Sequence, residues 1–191
     1  MMNVIRKLLS KKVCLTGGLI SVAIIFMFAG CAAPPKPFDP GIKGPQMLVE
    51  PGVVSIGVVS MLRTPLVFKG KGFDPEDSVF ITLLNVKKGD KLVHVPIADG
   101  NVDKNGFFTA KVGTLAKVSE LLNARLGSNK KLETTIIVSR PPIAPGKYTA
   151  RAVSMESDKI AVCKLVIEAP WGLDDLKDWI GKKKGKIVEK K

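Results

Sequence analysis

The sequence predicts an all-β domain of sandwich or barrel type, and three observations predict it. Between Val49 and Ala169, short apolar runs recur and turn signals separate them. Several runs alternate with a period of two. Tyr148, Ala150 and Ala152 share one face, and Phe80, Thr82 and Leu84 oppose Ile81 and Leu83. The breaks carry turn chemistry: Lys88-Gly89-Asp90, Asp103-Lys104-Asn105-Gly106, Ala144-Pro145-Gly146 and Glu156-Ser157-Asp158. Asn-Gly is a strong hairpin signal because both central positions of its turn require positive φ.

Taken in order, the expected strands are Val53–Ser60, Leu62–Lys69, Ser78–Val86, Lys91–Ile97, Phe107–Val112, Leu132–Ser139, Lys147–Ser154 and Ile160–Glu168. One segment breaks the pattern. Leu115, Val118, Leu121, Leu122 and Leu126 recur at helical spacing. Thr114 suits the N-cap and Gly127 the C-cap of a helix over Leu115–Leu126 that bridges two strands. Its stripe serves either as a lid on the core or as a partner site. Pro170–Gly181 reads as a second short helix, with Asp174 and Asp175 in its first turn and Gly181 at its end. Leu173, Leu176 and Ile180, with Trp179, form its apolar face.

Beyond that helix, residues 182–191 hold six lysines and one acid. Two uses of this C-terminal part are open. A tryptophan-bearing amphipathic helix with a lysine tail suits an anionic surface, with Trp171, Trp179, Lys182, Lys183, Lys184 and Lys186 as the contacts. Alternatively, the helix packs on the domain and the tail is solvated.

The N-terminus reads as an address. Arg6, Lys7, Lys11 and Lys12 precede an uncharged apolar block from Val13 to Phe28, and small residues follow. The segment Phe28-Ala29-Gly30-Cys31 resembles the bacterial lipobox. That resemblance implies removal of residues 1–30 as a signal peptide and lipidation of Cys31, with Phe28 standing where leucine is usual. An uncleaved apolar anchor is the alternative, since about 18 apolar residues can span a bilayer. Stable attachment takes two acyl chains or more. Ala32, rather than an aspartate, follows the cysteine. In a Gram-negative cell that implies an outer-membrane location facing periplasm or surface. Residues 32–46 contain five prolines and two glycines, which oppose helix and sheet. Within the expected tether, residues 31–48, this stretch reaches on the order of 40 Å at about 3.1 Å per residue.

Three further segments resemble one family when read together. Lys69-Gly70-Lys71-Gly72-Phe73-Asp74-Pro75 through Val79 resembles the glycine-phenylalanine segment of bacterial immunoglobulin-like (Ig-like) and IPT/TIG-like modules. Asp103-Lys104-Asn105-Gly106-Phe107-Phe108 resembles their hairpin, and Gly146-Lys147-Tyr148 through Ala152 their entry to a late strand. The resemblance covers residues 49–169. It implies an Ig-like antiparallel β-sandwich, of seven to eight strands here; the inserted short helix departs from the family's simplest pattern, and the short C-terminal helix with its basic tail, residues 170–191, lies beyond the module. The resemblance also implies a tyrosine corner at Tyr148. Sandwich domains host many unrelated functions, so it implies no activity.

Composition narrows the chemistry. The net charge is +13, and without residues 1–30 there remain 26 basic against 17 acidic residues, a surplus of +9. Such a surplus attracts polyanions. The export signal argues against nucleic acid and for an anionic envelope polymer or an envelope protein. Of three cysteines, only Cys163 lies in the domain, so no internal disulfide is expected. His94 is the single histidine and has no partner near in sequence for nucleophilic catalysis. Cys163 reads as a small buried residue. Asp103-Lys104-Asn105-Gly106 resembles a calcium loop but lacks the later ligands. Asp74, Glu76 and Asp77 form an acidic turn. No catalytic residue, metal or cofactor is expected. The expectation is a membrane-tethered, non-enzymatic binding or structural domain. Its rivals are a carbohydrate- or polyanion-binding module using Lys87–Lys91 and Arg140–Lys147, and a small envelope enzyme.

Overall fold

The computed structural model describes residues 37–190. The signal segment, Cys31 and the first part of the tether lie outside the described residues. The remainder is mostly β, arranged as a sandwich.

One layer is a three-stranded sheet in the order β1 (Gln46–Glu50), β3 (Val67–Lys71), β6 (Phe107–Lys111). The other is a five-stranded sheet in the order β2 (Val53–Ser55), β10 (Ile160–Glu168), β9 (Gly146–Ser154), β4 (Ser78–Lys88), β5 (Lys91–Asn101). The period-two alternation builds the core between them. The small sheet contributes Met47, Val49, Phe68, Phe108 and Ala110. The large sheet contributes Val79, Ile81, Leu83, Ala150, Ala152, Leu165 and Ile167. In β4 the buried series runs Val79, Ile81, Leu83 and then Val86. The phase change is a bulge, with Asn85 at φ 54°. A third sheet orders β11 (Ile187–Glu189), β8 (Thr134–Val138) and β7 (Ala124–Ser128).

Most strands lie where the alternation puts them, and the differences are local. β1 begins at Gln46, inside the expected tether, because Gln46 onward pairs with β3 from Lys71 back to Val67. Val53–Ser60 is not one strand. It splits into β2 and a short helix α1 (Val58–Arg63), and the second expected strand starts only at Val67. The predicted helix over Leu115–Leu126 is also shorter. One turn, α2 (Thr114–Ala116), runs into a wide π turn at Lys117–Leu121. Asn123 at φ 47° ends it, and Leu126 and Gly127 belong to β7. Gly113, not Thr114, holds the cap position, and no side chain caps it. The core-facing half of the stripe is real, since Val118, Leu121 and Leu122 are buried. Leu115 and Leu126 are exposed, so their spacing reflects no shared face.

Two pairings are parallel: β2 with β10, and β11 with β8. The first has a consequence for the surface. Parallel neighbours leave the sheet at the same end, so the chains after Ser55 and after Glu168 emerge side by side. Ile56 N–H donates to the Glu168 carbonyl at 2.9 Å. The first emerging chain forms α1, and the second forms α3 (Leu173–Lys183). Among the described residues, no helix is long and apolar enough to cross a membrane.

Candidate surface-contact site

The C-terminal helix forms close to where its sequence signals put it. Asp174 and Asp175 occupy its first turn, and Lys182 and Lys183 its last. Negative side chains at the start and positive ones at the end suit the helix dipole. Gly181 is not its terminus. It lies inside the helix and is buried, and an added Cβ would meet Ile187 Cδ1 at 2.7 Å. Gly185, at φ 67°, follows the helix where the chain reverses into β11.

The helix docks on α1 through its polar side. The Asp178 carboxylate accepts hydrogen bonds from the Val58 and Val59 amides, each at 2.8 Å. It thereby caps α1 from a different helix, satisfying amides that have no partner inside α1. The Ser60 hydroxyl donates to Asp174 at 2.5 Å, and Lys177 pairs with the same carboxylate at 3.0 Å. Hydrogen bonds from Ser60, Lys177 and Ser55 hold the Asp174 carboxyl down at about 2, against a smaller opposing effect of burial.

At 3.6 residues per turn, Asp174, Asp178 and Gly181 share one side of the helix. Leu173, Leu176 and Trp179 therefore face away from α1, while Ile180 borders the space between the two helices. Trp171 is 79% exposed, Leu173 71%, Trp179 53% and Leu176 48%. The polar face is inside and the apolar face is outside. That inverts the ordinary arrangement of a surface helix, whose apolar stripe faces the core. A cluster of large apolar side chains in solvent marks an interaction surface. Cations border it. Lys183 Nζ lies 4.3 Å from the Trp179 ring centroid, over the ring face. Lys182 pairs with Glu189 at 2.5 Å, while Lys184 and Lys186 are exposed.

The tail is more ordered than a solvated lysine run. Ile187–Glu189 adds to β8 as β11, and Ile187 is buried. Between α1, α3, β8 and β11 lies an open groove of about 380 Å³. Val58, Val59, Leu62, Ile136, Ile180 and Ile187 form its apolar walls, and Arg63, Lys177, Lys184 and Lys186 stand among them. No acidic residue lines it.

This whole face lies at the far end of the domain from where the described chain begins. The Phe38 ring sits 6.4 Å from that of Phe107, with Lys71 Nζ 5.3 Å from the Phe38 centroid. Lys71 and Phe107 pair at one end of β3. α1 precedes the other end, at Val67. Four residue steps at about 3.3 Å separate the two ends of β3 by about 13 Å.

The other sequence-derived candidates take structural places. His94 Nδ1 accepts the Asn85 amide at 3.3 Å on the exposed side of the β4–β5 ribbon. Cys163 is half-buried, and burial pushes its thiol up to about 12, which keeps it protonated and a poor nucleophile. Asp103 closes its hairpin by accepting the Asn105 and Phe107 amides at 2.8 and 2.9 Å, with Gly106 at φ 78°. Tyr148 forms its corner, its hydroxyl donating to the Ala144 carbonyl at 2.5 Å. The acidic turn divides: Asp74 pairs with Lys159 at 2.5 Å, and Asp77 is buried against the β9–β10 turn. Among the described residues, no group of three or more His, Cys, Asp or Glu is placed to hold a metal ion. Cys31 lies outside the described residues.

No family model and no curated protein matches this chain. Among solved structures, a β-glucosidase from Listeria innocua in complex with glucose aligns at a TM-score of 0.32 and 12% identity. The alignment covers 64% of this chain and 16% of the enzyme. At that level it carries no argument about fold or activity.

Proposed function

We propose that this chain is a bacterial cell-envelope lipoprotein, anchored through Cys31, whose non-enzymatic Ig-like domain presents α3 to a second, anionic membrane surface. The outward apolar face of α3, bordered by lysines, carries this reading. Tryptophan and leucine enter the headgroup boundary of a bilayer, while lysine attracts its anionic lipids. The position of that face, across the domain from Phe38, favours a surface opposite the anchoring bilayer. Phe28-Ala29-Gly30-Cys31 supports the lipid anchor, and Ala32 supports the outer membrane. The protonated thiol of Cys163 and the structural bond of His94 support a domain without catalysis. The carbohydrate-binding alternative draws no support from its loops, since Lys87–Lys91 and Arg140–Lys147 contain no aromatic residue for stacking on a sugar.

The test is bridging. The full chain, held in phosphatidylcholine nanodiscs, is mixed with separate vesicles. Capture of phosphatidylglycerol vesicles but not phosphatidylcholine vesicles is expected, with at least tenfold weaker capture by Trp171→Ala/Trp179→Ala. Mass spectrometry of the same preparation is expected to find acyl chains on Cys31. Equal capture of both vesicle types removes the surface reading, and an unmodified Cys31 removes the anchor.

A further inference from the structure

The groove beside α3 has a chemistry that surface contact by Trp171 and Trp179 does not use. Its walls are aliphatic, and Thr134 is the one uncharged polar side chain in its lining. A sugar or a nucleoside base, which needs aromatic stacking or several uncharged donors and acceptors, finds neither here. The charge is one-sided. Lys177 is engaged by Asp174 at 3.0 Å. Arg63, Lys184 and Lys186 have no carboxylate within ion-pair distance among the described residues. Unpaired cations beside an aliphatic wall are complementary to a molecule that is anionic at one end and aliphatic along its length. The volume, about 380 Å³, falls in the range of about 300–1,000 Å³ typical of small-molecule sites.

We propose that this groove binds a single-chain lipid anion of the fatty-acid class. The acyl chain lies on Val59, Leu62 and Ile180, and the carboxylate meets Arg63, Lys184 and Lys186. The assignment rests on the groove, and it shares Lys184 and Lys186 with the proposed membrane contact, so its variants are placed at Val59 and Arg63 instead. It makes a quantitative demand, because burying each further methylene tightens binding up to about fourfold until the groove is filled.

Photolabelling tests it. The full chain in phosphatidylcholine nanodiscs is exposed to a diazirine-bearing fatty acid, and labelled peptides are mapped. Labelling is expected within residues 58–63 and 177–187. Dodecanoate should displace it better than octanoate, while dodecyl maltoside and dodecyltrimethylammonium leave it in place. Val59→Trp fills the groove and should reduce labelling at least tenfold. Arg63→Glu, at an exposed position, provides a second variant with the same expected loss. Label spread over the rest of the chain, or equal displacement by the cationic detergent, overturns the proposal. Stronger displacement by dodecyl phosphate than by dodecanoate overturns the carboxylate assignment. Both variants keep Trp171 and Trp179, so vesicle capture at the wild-type level accompanies a loss of labelling. Labelling retained in either variant overturns the groove assignment, whereas absent vesicle capture by the wild-type chain with the expected labelling counts against the surface reading alone.

Discussion

Asp77 shows how a single side chain ties distant turns together. It is 1% exposed, yet its carboxylate has five donors. The Ser78 amide donates at 2.6 Å, the Ser157 hydroxyl at 2.9 Å, and the Met155, Glu156 and Ser157 amides at 3.1 to 3.2 Å. Burial alone would raise its pKa. The hydrogen bonds from Ser157, Glu156 and Ser78 outweigh that effect and hold it at about 2, against an ordinary 3.8. The folded state therefore binds this proton more weakly than the unfolded chain does. Its stabilising contribution is complete above 3.8 and is lost as pH falls from there through about 2. Asp174 has the same sign. Thermal melts are expected to be level near neutrality and to fall steeply across that acid window. Asp77→Asn should lower the melting temperature by several degrees at pH 7 and flatten the acid limb; parallel curves for the two proteins would refute this. The sequence showed Asp77 only as one acid of three in a turn. Apart from the Ser78 amide, its donors are 78 to 80 residues away, and no local pattern encodes such contacts. Gly70 is similar: an added Cβ would sit 2.1 Å from Phe108 Cε1, a constraint visible only once β3 and β6 pair.

At the scale of elements, alternation made β4, β6, β9 and β10 legible, because each has one face on the core and one in solvent. The elements that were misread are those whose backbone is completed from elsewhere. Val58 and Val59 are β-branched and read locally as strand. They are helical because Asp178, 120 and 119 positions away, accepts both of their amides. The C-terminal helix was legible from its first-turn acids, Asp174 and Asp175, whereas its bounds, Leu173–Lys183 rather than Pro170–Gly181, and the direction of its apolar face were not. Amphipathic spacing identifies a stripe, and only the docking partner decides which way it points. Asp178→Ala removes the cap and the docking bond together. It should destabilise the domain by about 0.5–2 kcal/mol. Hydrogen exchange should accelerate in residues 58–63 and 173–183 before the sandwich core opens. Uniform acceleration across all strands, or none, would show that α1 does not depend on α3.

At the scale of the whole molecule, the parallel pairing of β2 with β10 is what turns a sandwich into a directional object. It brings α1 and α3 out together at one end, while Phe38 is clasped between Lys71 and Phe107 at the other. Under the proposed function, the Trp171–Trp179 face and its lysines would be presented to a second, anionic surface. Two forces act there, and ionic strength separates them. Attraction of Lys182, Lys183, Lys184 and Lys186 to anionic lipid amounts to about 1 kcal/mol each, and it is screened beyond a Debye length of about 10 Å at 0.1 M salt. Insertion of the tryptophans and leucines is driven by apolar burial, which the electrolyte does not screen. Replacing those four lysines by glutamine should therefore weaken capture of anionic vesicles by up to about a thousandfold at low salt, and by far less at 1 M. Trp171→Ala/Trp179→Ala should weaken capture by a similar factor at both salt concentrations. Titrating vesicle capture against salt for the wild-type chain and the two variants resolves the contributions. A tryptophan variant that binds normally at high salt would leave the apolar face of α3 without a part in the contact.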